Sequence, residues 1–216
     1  MKMLNYNQKY IICDVESRNL NLHVHNGGIP NCNYPWEVAW IECSGEFTQN
    51  EFQYFVDVPS LNLSPLVRTL THFNENKYNN LKQPPKFAWN KLKKYLYDED
   101  YLIIGQNILG FDIFLIGILA NMVGEKIDWS FIDRIIDTRA LGLAHKNGLE
   151  KPRNGSLIQW QYKILNDPSL KGRVSQTALL KEFNLESIDE GARHSGIVDV
   201  KDTFRIFCEL KKKLKL

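Results

Sequence analysis

Hydrophobic positions fall into two patterns along this chain. Near the amino end they form short continuous runs. Residues 9–16 (Lys-Tyr-Ile-Ile-Cys-Asp-Val-Glu) read as a buried strand that ends in acids. Residues 36–43 and 52–58 predict two further strands, with Ser44-Gly45-Glu46 as the turn between them. The Asn/Gly/Pro-rich stretch 26–35 reads as a loop. Farther along, apolar residues recur at helical spacing over 64–71 and 86–97, the second opened by Pro84-Pro85. A short strand at 101–104 leads through Gly105 to a helix over 112–122. Residues 131–136 read as a strand, after which Asp137-Thr138 opens another helix. The last helices are predicted at 176–183 and 197–214, where Val200, Phe204, Phe207 and Leu214 share one face.

Strands first, then helix alternating with strand, predict an α/β fold: a mixed β-sheet flanked by α-helices. No internal repeat, low-complexity segment or linker divides residues 1–216, which read as a single domain. Residues 146–175, rich in Gly, Asn, Pro and Lys, read as a long basic excursion.

Composition narrows the class. Hydrophobic residues make up 44% and charged residues 24%, as in a globular protein in water. The longest apolar run, 113–120, is too short to cross a bilayer, and the first residues lack a signal-peptide core. Cys13, Cys32, Cys43 and Cys208 contain no CxxC pair. Cys13 and Cys43 sit in apolar strands as buried thiols, pointing to a reducing compartment, cytoplasmic or nuclear. The net charge of +2 says little about partners, but its distribution says more. Residues 146–181 hold seven Lys or Arg against Glu150 and Asp167, and residues 211–215 are a second basic run. Either could meet phosphates, or simply be a solvated face.

The candidate chemistry lies in three short segments. Asp14 and Glu16 are two apart on a strand, so they share a face and repel. An oxygen-ligated Mg²⁺ or Mn²⁺ would relieve that repulsion. Asp112 opens a helix just beyond a strand end, where open sheets gather their sites, although it could equally serve as a cap. His194 and Asp199 are joined through Gly196, which allows a turn that puts His194 on a loop and Asp199 in the following helix. Asp202 and Asp137 are rival acids, the latter assigned to helix capping. Trp160 and Tyr162, among basic residues, could stack on bases or pack in the core.

In order and spacing, these segments resemble the three motifs of the DEDDh (DnaQ-like) 3′–5′ exonucleases, a branch of the ribonuclease H-like superfamily. Asp14 and Glu16 match the first motif, Asp112 the second, and His194 with Asp199 the third. Asp137-Thr138-Arg139-Ala140-Leu141 resembles the family's Asp-Thr-x-x-Leu segment. The resemblance implies a ribonuclease H-like fold in which Asp14, Glu16, Asp112 and Asp199 hold two Mg²⁺ or Mn²⁺ ions. His194 would be the general base in hydrolysis of the terminal phosphodiester of single-stranded DNA or RNA. The product would be a nucleoside 5′-monophosphate. Ser17, Gln106 and Asn107 would contact substrate, with Trp160 as a further candidate. The segment from Gly105 to Asp112 resembles proofreading-type members, which favours DNA. An exonuclease for RNA or short oligonucleotides, and a non-catalytic nucleic-acid-binding module, are the alternatives. No polymerase, replication or repair partner is specified. The chain departs from the family pattern at Ser17 (usually Thr), Gln106 (commonly His) and Gly196 (usually Ala), and none of these removes a ligand.

Overall fold

Residues 9–17 bury both of their faces, as the middle strand of a covered sheet must. The computed structural model, which describes residues 7–19, 24–26, 29–31, 33–152, 154–192 and 195–216, places them there as β1 (Lys9–Ser17). Antiparallel to β1 runs β4 (Pro35–Ser44), and beyond it β5 (Phe47–Phe55) forms one edge. On the other side β6 (Tyr101–Gly105) and β7 (Ile135–Asp137) are parallel to their neighbours, giving the order β5-β4-β1-β6-β7. The mixed sheet with its helices is the α/β architecture expected from the order of elements.

Alternation decides which side each residue serves. Ile11, Cys13 and Val15 join Trp36, Val38 and Trp40 beneath α3 (Pro85–Leu96) and α4 (Asp112–Met122). Tyr10 and Ile12 join Ala39, Ile41 and Cys43 beneath α5 (Thr138–Lys146), α7 (Gln176–Glu182) and α8 (Gly196–Leu214). Because Asp14 and Glu16 follow Tyr10 and Ile12 in that alternation, they emerge on the α8 side where the apolar packing ends. Cys13 and Cys43 are buried free thiols, as expected.

Several expectations needed correction. Overlapping the predicted loop 26–35, the described backbone includes a small hairpin of β2 (Val24–Asn26) and β3 (Ile29–Asn31). Strand β5 begins at Phe47, not 52, and ends at Phe55; its first half is exposed and, after Phe47, polar, placed by pairing with β4 and not by burial. After α1 (Pro65–Leu70), capped by Ser64, comes an unpredicted α2 (Glu75–Leu81), which buries only Tyr78 and so leaves almost no apolar signature. The strand expected at 131–136 is a 3-10 helix over Trp129–Arg134, and only Ile135 to Asp137 pair as β7.

The excursion also contains a helix, α6 (Leu157–Leu165), capped by Ser156. It covers the β7 edge, and its buried Gln161 stands in for a neighbouring strand: Oε1 accepts Asp137 N–H at 2.7 Å and Nε2 donates to Ile135 O at 2.9 Å. An unpaired edge is thereby closed by one side chain. Gln161→Leu leaves both backbone groups without partners, at a cost of about 2–3 kcal/mol. A urea midpoint unchanged from wild type would overturn this role.

Candidate metal centre at the end of the central strand

The site forms where β1 outruns β6. Parallel pairing stops at Ile12 with Ile104, and the chain turns away at Gly105. A Cβ at 105 would lie 2.8 Å from Ile108 Cβ and 3.0 Å from Cys13 O, so this close turn needs glycine. The amide of Val15 is then free of the sheet, and Asp112 Oδ1 accepts it at 2.9 Å. The first acid of α4 is thus bound directly to the backbone between Asp14 and Glu16. From the other side of the sheet, α8 sets Asp199 in its first turn over the same strand end. Carboxylate oxygens of Asp14, Glu16 and Asp199 all come within 4.8 Å of one another.

Electrostatics make this an expensive arrangement without a cation. Burial pushes the Asp14 carboxyl well above its usual range, and Asp112, Glu16, Asp199 and Glu37 push it further. Glu16 is raised by burial and then by Glu37, Asp199 and Asp112. Asp112 rises to about 7 through burial, despite the opposing hydrogen bond from Val15. Hard divalent cations suit such a set of oxygens: charge is offset, and carboxylates are their preferred protein ligands. Asp14, Glu16 and Asp199 could hold one directly, with Asp112 adjoining.

The remaining sequence candidates are distributed differently. His194 lies outside the described residues. Ser17 is buried; its Oγ donates to Asn19 O and accepts from Asn33 Nδ2. The amide of Gln106 is engaged at both ends, donating to Val174 O at 2.7 Å and accepting from Thr138 Oγ1 at 2.5 Å. Asn107 adopts a positive φ of 61° and accepts from the Arg139 guanidinium. Trp160, half-buried on α6, packs against the hydrophobic clusters around α5 and α8. Both rival acids are tied up elsewhere. Asp137 caps α5 and also accepts the amides of Asn107 and Leu109; Asp202 holds Ser187 and Ile188.

Sequence reasoning missed Glu37. It is buried on β4 directly across from Glu16, and burial raises its carboxyl. The signal was present: one internal acid in the run Pro-Trp-Glu-Val-Ala-Trp-Ile. Beside it opens a cleft of ≈ 220 Å³ lined by Trp36, Phe55, His72, Phe73 and Lys77.

No protein-family model matches the chain, and no curated protein matches it in sequence. Solved structures do match. The nuclease domain of 3′hExo, a DEDDh family member bound to rAMP, is similar with a TM-score of 0.64 and 17% identity, over 98% of this chain and 96% of that one. Exonuclease I of E. coli in complex with a dT13 oligonucleotide gives 0.69 and 13%, over 95% of this chain and 41% of that one. A 3′-exonuclease with 3′-end-specific recognition of histone mRNA stem-loop gives 0.61 and 15%, covering 98% and 66%. The chain therefore spans about two fifths of the exonuclease I chain and just under two thirds of the last. These likenesses establish the fold: it is ribonuclease H-like.

A carboxyl raised on folding binds more protons folded than unfolded between its two pKa values, so stability falls as pH rises through that window. For Asp112 the window runs from 3.8 to about 7. In EDTA, the urea midpoint of wild type should fall relative to that of Asp112→Asn as pH rises across this window. A constant difference between the two would contradict the burial of this charge.

Proposed function

We propose that this chain is a metal-dependent 3′–5′ exonuclease of the DEDDh type, hydrolysing terminal phosphodiesters of single-stranded nucleic acid. The observation that carries the reading is the convergence of Asp14, Glu16 and Asp199 at one strand end, with Asp112 bound to the intervening backbone. It occurs in a fold shared with several 3′-exonucleases.

Asp14, Glu16, Asp112 and Asp199 are assigned to hold two divalent ions, Mg²⁺ or Mn²⁺. When bound, such ions stabilise charge on the attacked phosphate and on the leaving 3′ oxygen, and make water more acidic. His194 is the general base that takes the proton from the attacking water. Its position two residues before α8 in sequence supports this role, because that helix brings Asp199 to the cluster. Ser17, Gln106 and Asn107 border the acids in sequence; their side chains are occupied within the protein, so we assign them to shaping the substrate groove. Trp160 is retained as a stacking candidate. Substrate is a 3′ end of DNA or RNA. Similar structures bind dT13 in one case and rAMP in another. We favour DNA, from the segment between Gly105 and Asp112.

The decisive assay uses 5′-labelled single-stranded DNA and RNA with Mg²⁺, Mn²⁺ or EDTA. Wild type should give a metal-dependent ladder shortening from the 3′ end, and Asp14→Ala and Asp112→Ala should give none while remaining folded by circular dichroism. Activity at the wild-type level in either variant sinks the assignment. His194→Ala should lower turnover by about 10²–10⁴-fold, with Mn²⁺ affinity measured by calorimetry changing far less.

A further inference from the structure

Helix α8 carries Asp199, and its start is capped in an unusual way. Ser195 occupies the N-cap position, yet its side chain makes no capping hydrogen bond. The first amides of a helix need acceptors, and a negative charge there is favoured by the helix dipole. Here the acceptor comes from the sheet. Glu37 Oε1 accepts Gly196 N–H at 2.9 Å, across 159 residues of sequence. The same oxygen accepts from Gln53 Nε2 at 2.8 Å, and that nitrogen also lies 3.4 Å from Ser195 Oγ. Strand pairing sets the row: Glu16 opposes Glu37, and Gln53 opposes Ala39 on the next strand.

Size makes the contact possible. A Cβ on Gly196 would lie 2.8 Å from Glu37 Oε1 and 2.9 Å from Ala39 Cβ, closer than real Cβ atoms come. Glycine at 196 and alanine at 39 together let the helix start touch the sheet. The departure from the usual alanine at 196 thus has a partner in Glu37.

We propose that Glu37 is a positioning residue, a helix cap supplied from the sheet that clamps Ser195 and Gly196 and so sets Asp199 over Asp14 and Glu16. Glu37 acts through the helix and is not assigned to substrate or metal. This inference rests on the exonuclease reading for what is positioned, but the clamp itself is testable without activity.

The test compares Glu37→Ala, Glu37→Gln and Gly196→Ala in the full chain. Amide exchange by NMR should show the Gly196 N–H exchanging at least about 10-fold faster in Glu37→Ala, with Val200 to Leu210 unchanged. Turnover should fall by about 10- to 100-fold, with KM within about threefold, as small misplacements near reacting groups do. Glu37→Gln keeps an oxygen acceptor and should restore both exchange protection and turnover. Gly196→Ala should mimic Glu37→Ala, and it carries the test if Glu37→Ala does not fold. Unchanged Gly196 exchange and turnover in Glu37→Ala overturn the proposal. So does loss of protection along all of α8, which would mark Glu37 as packing only. If wild type cleaves nothing, the exonuclease reading fails, while the exchange experiment still decides the clamp.

Discussion

Carboxylates that accept backbone amides hold this molecule's working end together. Asp112 accepts Val15, Glu37 accepts Gly196, and Asp137 accepts Asn107, Leu109, Arg139 and Ala140. Each joins segments distant in sequence, and each is buried, where an acid is tolerated only with donors to satisfy it. These carboxylates tie the starts of α4 and α8 and the turn after β6 to distant parts of the chain.

These bonds also explain how acids that repel can be assembled. Asp14 and Glu16 are fixed by the pleat of β1 and cannot separate. Asp112 is held by Val15 N–H, and Asp199 by a helix whose first amide is pinned to β4. The cost of crowding is met by backbone geometry before any cation arrives. A cation bound there would gain what the fold has already set against itself, a form of preorganisation. The second loop is braced in the same manner, with Gln106 spanning Val174 and Thr138 and Asn107 accepting from Arg139. These bonds hold the loop between β6 and α4 against α5 and the segment at Val174.

The basic excursion has a structural task as well. Helix α6 lies along the outermost strand and completes it through Gln161, whose two bonds reach the residue that caps α5 and its neighbour Ile135. Asp137 therefore connects the sheet edge to the loop that presents Asp112. A segment that looked like an appendage is coupled to the site through one buried acid.

The central strands, the helices α3, α4, α5 and α8, and the run of acids were legible in the sequence, because burial imposes periodicity and strand ends collect sites. Segments that bury little were not: the exposed first half of β5 was missed while its second half was read as strand, and α2 buries a single tyrosine. Within 131–136, apolar residues suit a 3-10 turn as well as a strand, and only the β6 neighbour distinguishes them. The sequence by itself singled out the residues proposed to carry the chemistry, since residue type and order along the chain are local properties. Tertiary structure alone decided that Glu37 stands across from Glu16, that Gly196 must be small to reach it, and that Gln106 and Asn107 bond to Val174, Thr138 and Arg139. Those facts depend on register between strands and on the height of a helix above the sheet, distances that no single segment encodes.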